Sequence, residues 1–560
     1  MSDVIKFNKR LEALKSERSS FIPYWMELSD YHLAHRGRFL TSDVNKGHKR
    51  NTRQVNNTSK LAARTLASGM MAGITSPARP WFQLGAPDPK LNDVAAVKDW
   101  LFQVQTIMYR VFSQSNTYIS LHSLYGEMGV FGTGAMGVFE DFDNVIRCKP
   151  YTIGSYCLGK NGRDEIDTFY REYKKTVGEC VKLFGFENCS AYIQQQWRDG
   201  NTEAWIELVH AVEPNDNRDH MSPMARDKNV RSVYYEKSRG SQGKSNDGKI
   251  LKRSGFEEFP ILAPRWDVTG EDTYATDCSG MTCLGDTKAL QLGEKRAYQA
   301  VDKLANPPLQ GDATLKTKVA NGNNLKPDEI IWTENGSAGL TSIYANYRPD
   351  LQAMELKNGQ AEGRIKRAFY EDLFLMLASS DRRQITAREV AEKQEEKLLM
   401  LGPVLERLHN ELLDPLVNRT FNILQNAGIL PPPPPELRNV ELGVEYISIL
   451  AQAQRMVAVG GIERLTDYTM NLATMYPEAR HKVNPNQLVD DYAEAMGVNP
   501  NTVRSNADVD VIVQQELQAA QAAQAQETAA QTAQTAKTAS ETNTTGDNAL
   551  NVMLQNAGLQ

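Results

Sequence analysis

The sequence predicts an α+β fold that is mainly helical. Three observations predict it. Residues 1–130 read mostly as helices, with apolar side chains at helical spacing. Residues 135–262 change to short alternating runs broken by turns. Beyond about residue 280, long helical periods return. At 560 residues the chain has room for about three or four domains. Its 41% hydrophobic content supplies a sizeable core, and its 24% charged content is near the average for globular proteins.

In the first part, Leu61, Leu66, Met70 and Met71 ride a small-residue helix that ends near Gly73. Pro77 and Pro80 then break it, because neither can continue a helix. A further helix spans 104–128, with Ile107, Val111 and Phe112 on one face. The strand region includes Asp167-Thr168-Phe169-Tyr170-Arg171-Glu172-Tyr173 and Ala204-Trp205-Ile206-Glu207-Leu208-Val209. One helix, at about 176–185, interrupts it. Asp286 is placed to cap a helix of about 20 residues, roughly 30 Å long, that stops at Asn306-Pro307-Pro308. A mixed insert follows, with a strand-like Glu329-Ile330-Ile331-Trp332.

Asp350 starts a second helix with Ile365, Phe369, Leu373, Met376 and Leu377 as its stripe. Gly359 and Gly363 lie in it, each costing about 1 kcal/mol relative to Ala. They either admit a neighbouring helix or are simply tolerated. A polar connection, 379–385, leads to the capping box Thr386-Ala387-Arg388-Glu389. That box opens a long helix carrying Leu398, Leu401, Leu405, Leu408, Leu412, Leu416 and Phe421. Pro403 and Pro415 predict kinks in it. Asn426-Ala427-Gly428 ends it, and prolines 431–435 form a stiff spacer. Residues 440–512 read as helical. The Gln/Ala/Thr-rich tail beyond 513 is a polar helix or disordered, with partial disorder expected past 530.

Function classes are narrowed by what is missing. The net charge of −6 argues against a protein that coats nucleic acid by bulk charge, while leaving room for a local basic site. No run approaches the roughly 18 apolar residues of a membrane helix. The charged opening segment has no signal-peptide pattern, which implies a reducing, cytoplasmic site of synthesis. The six cysteines read as scattered core thiols without zinc spacing. Gly132-Thr133-Gly134-Ala135-Met136-Gly137 matches a dinucleotide fingerprint literally, but a helix precedes it and a strand follows, the reverse of what a pyrophosphate site needs. Residues 238–245 resemble a P-loop, yet Ser238 replaces the first glycine and Asn246-Asp247-Gly248 makes a turn. His32 and His35 can share a helix face but lack a third ligand. No catalytic, cofactor or metal site is expected.

Several segments in this order resemble the portal, or head-to-tail connector, proteins of short-tailed bacteriophages. They are Phe21-Ile22-Pro23-Tyr24-Trp25; residues 61–70 leading to Thr75-Ser76-Pro77 and Pro80-Trp81-Phe82; Ser115-Asn116-Thr117-Tyr118 with Val130-Phe131-Gly132-Thr133-Gly134; Ala263-Pro264-Arg265-Trp266; Asn306-Pro307-Pro308; and residues 386–393. The resemblance runs from about 15 to about 430. At 277–280, Asp277-Cys278-Ser279-Gly280 departs from the expected Tyr-Gly turn.

The resemblance implies a ring, usually of twelve copies, around a channel for double-stranded DNA. It implies a wing at 1–278, a first stem helix at 279–306, a clip at 307–348 and a second stem helix at 349–377. A tunnel loop at 378–386, a wing and channel helix with its proline spacer at 387–435, a crown at 436–512 and the tail at 513–560 would follow. The implied partners are further copies of the chain, terminase, tail adaptors, major capsid and scaffold proteins, and DNA bound without sequence preference. The implied location is the unique portal vertex of the virion. Arg382, Arg383 and Asp381 in the tunnel loop, with Lys366 and Arg367 on the second stem helix, are the candidate channel residues. Lys316, Lys318 and Lys326 are the candidate partner contacts in the clip. Another phage structural protein, or an enzyme using the 132–137 loop, is the alternative.

Overall fold

In a computed structural model, the described residues are 3–39, 53–86, 88, 91, 94–219, 221–222, 224–237, 248–305, 309–312, 330–333, 341–342, 350–379, 402–437, 443–446, 461–462, 464–474, 476, 478, 482–496, 503–504 and 506–541. The chain divides into two compact units. One is Met1–Pro87 with Trp100–Gln454; the other is Asp88–Asp99 with Arg455–Gln560.

In the first unit the helices α1 (Asp3–Ser19), α2 (Ile22–Tyr31), α3 (Thr58–Ile74), most of α4 (Ala95–Gln114) and α5 (Thr117–Phe131) precede the strand region, with a short β1 (Phe82–Gly85) between α3 and α4. The expected single helix over 104–128 is thus two, broken at Ser115-Asn116. Asn116 is spent on the backbone of Cys148, donating to its carbonyl at 2.7 Å and accepting its N–H at 2.9 Å. In α3, Ala62, Ala63, Leu66, Ala67, Met70 and Ile74 are buried, whereas Leu61 is exposed. Pro77 and Pro80 end the helix as expected, and Trp81 and Phe82 turn inward onto Tyr109 and Phe112.

β2 (Ala135–Asp141) and β3 (Val145–Tyr151) pair antiparallel, with β9 (Ile261–Leu262) on the other side of β2. β4 (Tyr156–Lys160), β5 (Ile166–Thr176), β6 (Trp205–Pro214), β7 (Val230–Glu236) and β8 (Ile250–Phe256) form an antiparallel sheet in sequence order. Strand alternation sorts its two faces. One face packs Tyr170, Val209, Ala211, Val233 and Tyr235 against Val4, Phe7, Leu11 and Leu14 of α1. The other packs Ile206, Leu208 and Leu251 under α6 (Val177–Phe184) and α7 (Ala191–Arg198). α6 was expected and starts at a capping box of Thr176 and Glu179. α7 was not; Ser190 caps it by accepting from the Ile193 N–H at 3.3 Å. All six cysteines are buried and free.

Two close approaches fix the centre of this unit. Glu127 on α5 is buried and accepts the Ile153 N–H at 3.1 Å, with Arg36 at 3.7 Å. Burial pushes its carboxyl up to about 8, against the weaker pull of Arg36 and that N–H. α8 (Ser279–Thr282) crosses α5 where Gly280 meets Val130. A Cβ on Gly280 would lie 2.5 Å from the Val130 carbonyl oxygen.

After α9 (Leu284–Ala305), β10 (Leu309–Asp312), β11 (Ile330–Thr333) and β12 (Thr341–Ser342) form a small sheet in the order β11-β10-β12. α10 (Leu351–Ala368) is capped by Asp350, whose carboxylate accepts the Ala353 N–H at 2.9 Å. The helix expected to run on to Ala378 breaks at Phe369-Tyr370, where Tyr370 has φ 54°, and resumes as α11 (Glu371–Ser379). The capping box at 386–389 lies outside the described residues.

The long helix is described from α12 (Gly402–Leu408), through a π-helical turn (His409–Leu413), to α13 (Asp414–Asn426). Its distortion before Pro415 is this wide turn. Pro415 has no N–H for the Glu411 carbonyl, and Asp414 instead donates to His409 O five residues back. Gly428, at φ 67°, follows the end. The proline spacer is packed, since the Trp100 indole donates to Pro431 O at 3.0 Å. The region beyond 440 opens on a strand, β13 (Gly443–Tyr446), which pairs antiparallel with β1.

The second unit includes helical residues 464–474, α14 (Pro485–Met496) and α15 (Asn506–Glu541). The disorder expected past 530 is not found up to Glu541. Alanine and glutamine are strong helix formers, and no Gly or Pro interrupts residues 506–541. No helix of the described residues is long and apolar enough to cross a membrane.

Two outcomes are expected. Gly280→Ala should cost about 1–3 kcal/mol through overpacking, while Gly285→Ala, where nothing lies within 4 Å, should be near neutral; thermal melts compare them. The folded chain keeps the Glu127 proton from about pH 4.5 to about 8, where the unfolded chain has lost it. Its stabilisation is therefore complete below that window and lost as pH rises through it. Glu127→Gln should flatten that fall in melting temperature.

Candidate functional site

α9 and α10 form an antiparallel hairpin. Early α9 meets late α10 through Asp286 and Arg364 at 2.8 Å, and the middles meet through Glu294 and Asn358 at 3.3 Å. Gly293 permits the approach, since a Cβ there would lie 2.3 Å from the Asn358 carbonyl oxygen. The Asp286 cap expected from sequence is instead a first-turn carboxylate spent on this cross-helix pair.

The root of the hairpin is polar and part-buried, with Gln291 buried at its centre. Gln291 Oε1 accepts the N–H groups of Val55 and Asn56 at 2.6 and 2.8 Å, and its Nε2 donates to Asn56 O at 2.8 Å. The Asn56 amide donates to Glu362 of α10 at 2.8 Å, and its oxygen accepts the Thr58 N–H at the start of α3. Lys288 pairs with Glu27 of α2. Phe374 of α11 lies over Gly69 of α3, where no side chain would fit. His32 and His35 do not share a helix face, because α2 ends at Tyr31. His32 is buried, bonded through Nδ1 to Ser59 and edge-on to Phe369 at 5.9 Å. Burial holds its imidazole down at about 4, so it is a neutral core group.

Lys366 and Arg367 are exposed in the last turn of α10, where cations also suit the helix dipole. Arg367 Nε donates to Gly363 O at 3.2 Å. Lys295 and Arg296 are exposed on α9; sequence reasoning passed over them. An open groove on α10 is lined by Gln352, Leu356, Gly359, Gln360, Gly363 and Arg367. Nothing lies within 4 Å of a Cβ on Gly359, and one on Gly363 would meet the end of the Arg367 side chain at 4.0 Å, so neither glycine is needed for a helix crossing among the described residues. Arg382, Arg383, Asp381, Lys316, Lys318 and Lys326 lie outside the described residues, as does the loop at 238–245.

The glycine loop is settled by order. α5 ends at Phe131, Gly132 turns at φ 80°, and β2 begins at Ala135. A strand, and not a helix, follows the glycines, the reverse of the order a dinucleotide site requires.

The sequence matches the family model "Bacteriophage head to tail connecting protein" over residues 5–503. The chain belongs to this family. It is 43% identical to the portal protein of Salmonella phage epsilon15 over 514 residues, covering 91% of each chain. It is 40% identical to the probable portal protein of Bordetella phage BPP-1 over 504 residues, covering 90% of this chain and 89% of that one. The family's role is structural, at the portal vertex of the capsid, and not catalytic.

Gln291, Asn56 and Glu362 were not foreseen. They are brought together across more than 230 residues, and nothing local marks an amide that will face another segment's backbone. Gln291→Ala should cost about 1–3 kcal/mol by orphaning partly buried backbone groups. Arg364→Ala, at an exposed pair, should cost about 0–1 kcal/mol. Chemical unfolding of both variants checks the order.

Proposed function

We propose that copies of this chain close into a ring, twelve on the resemblance, at the unique vertex of the virion. Double-stranded DNA passes through it during packaging and ejection. The family match over residues 5–503 carries this reading. In it, α9 and α10 are the stem, 307–348 the clip, 378–386 the tunnel loop and the region beyond 436 the crown. Terminase docks first and tail adaptors later, with capsid and scaffold proteins around the ring.

The physics of sliding supports the assignment. Each lysine–phosphate contact adds affinity through counterion release, so a wall rich in them would hold the duplex. A subunit of net charge −6 with a few exposed cations meets that need. Lys366 and Arg367 stand free of carboxylate partners among the described residues and become a band of charge when repeated around a ring. The unfilled glycine groove of α10 suits the close approach of the next subunit. Contacts of this kind are heterologous and close by rotation.

Electron microscopy of the purified protein, with its mass by light scattering, tests the ring. Annular end views with a duplex-wide hole and a mass near twelve times 62.6 kDa are expected; a compact monomer that binds nucleotide would overturn the proposal. Lys366→Ala with Arg367→Ala, and separately Arg382→Ala with Arg383→Ala, should leave rings intact and lower the DNA packaged or retained. An unchanged packaged genome would remove those residues from the channel role.

A further inference from the structure

One cross-strand row of the five-stranded sheet reads Tyr156, Arg171, His210, Tyr234, Lys252 from β4 to β8. The Arg171 guanidinium lies 4.8 Å from the centre of the Tyr151 ring and 5.1 Å from that of Tyr173. The Lys149 ammonium lies 5.7 Å from the same Tyr151 ring. Beside them the His210 and Tyr234 rings stack at 3.9 Å, 4° from parallel.

Two of the lysines nearby are paired. Lys175 pairs with Glu179, and Lys174 with Glu207. Arg171 and Lys149 are not balanced: among the described residues neither has a carboxylate partner. Arg171 hydrogen-bonds the Tyr151 hydroxyl, but its Nε is buried without an acceptor. Arg18, whose Nε is likewise without an acceptor, is held by two carbonyls, those of Gly154 and Tyr156; for Arg171 a phenol hydroxyl is the acceptor given. Aromatic faces offset part of the cost of holding a cation away from water. They supply no oxygen for its N–H groups, and an unfilled donor in a buried place is expensive.

We infer that Lys149 and Arg171 form an anion site for a phosphate-class dianion, with Tyr151 and Tyr173 as its walls. The charge count selects the ligand. Lys149 and Arg171 beside one ring, with Arg147 near enough to act on Lys149, leave an excess of positive charge that matches a dianion better than a single carboxylate. The guanidinium supplies paired donors suited to adjacent phosphate oxygens, and the ammonium supplies a point charge. The electrostatics agree. Burial first, then Arg171, Lys175 and Arg147, holds the Lys149 amine down at about 8. Burial, Lys149 and Arg171 together push His210 down to about 3, so it adds no charge; it is bonded to Ser232 at 2.9 Å. The inference is independent of the ring.

The amine itself is the probe. Full-length protein is acetylated with acetic anhydride at one fixed pH, in sodium phosphate or in sodium chloride of equal ionic strength, and Lys149 is followed by peptide mass spectrometry. Phosphate is expected to slow its modification several-fold and saturably, leaving Lys252, exposed like Lys149, unchanged. Arg171→Gln should abolish the protection, and Arg171→Lys should keep part of it. Equal rates for Lys149 in phosphate and chloride would overturn the inference, and that comparison needs no variant to fold. Protection that survives Arg171→Gln would also overturn it. A short DNA duplex as a third arm tests the choice of ligand, since each backbone phosphodiester is a monoanion. Protection by inorganic phosphate alone is expected, and equal protection by the duplex at the same phosphate concentration would overturn the assignment to a dianion.

Discussion

The hairpin stands on one buried amide. Gln291 is the point at which α9, the backbone at 55–56 and, through Asn56, both α3 and α10 are tied together. Two helices that leave a body and return to it have long arms and small roots. Their direction is set where they are fixed, and exposed pairs such as Asp286 with Arg364 contribute little to that. A primary amide suits the position because it offers donor and acceptor together and carries no charge to desolvate. The close crossing of Gly280 and Val130 does the same work by shape, and Phe374 over Gly69 extends it to α11.

Much of this fold was legible because its signals are local. Asp350 at the head of α10 and Asn426-Ala427-Gly428 at the end of α13 each act within one turn of helix. The helix-to-strand order around Gly132 was legible for the same reason. The misreadings lie where tertiary contacts decide. Asn116 breaks a helical period because its side chain is spent on Cys148. Tyr370 takes a left-handed conformation in the middle of an apolar stripe that periodicity reads as continuous. Of the candidate site, Lys366 and Arg367 were legible as exposed cations on a helix. The root network was not, since an Asn, a Gln and a Glu far apart in sequence carry no mark of meeting.

The π turn shows how a local fault becomes a joint. Pro415 withholds an N–H, the turn before it widens, and Glu411 is carried to Arg265. The two groups engage through Arg265 Nε, Nη2 and the main-chain N–H, at 2.6–3.1 Å to their nearer oxygens. Arg265 also reaches Asp164 O at 2.9 Å. Further along, Arg419 donates to Val138 O at 2.8 Å and Glu258 O at 3.4 Å. The long helix is thereby tied to the strand layer at two levels. Pairs this buried cost much to desolvate and gain little net stability, but breaking one partner leaves the other stranded. They hold register more than they add stability.

Charge in this chain therefore sorts by what answers it. Arg18, Arg265 and Arg419 are buried and met by carbonyls or a carboxylate from the same chain. These groups are spent on folding. Lys366, Arg367, Lys295 and Arg296 are exposed, so water answers them at little cost. Such groups suit contacts that form and dissolve as a duplex slides past. Arg171 fits neither class: its Nε is buried without an acceptor, aromatic rings flank its guanidinium, and no acid among the described residues meets it or the exposed Lys149 beside it, a state that a bound dianion completes.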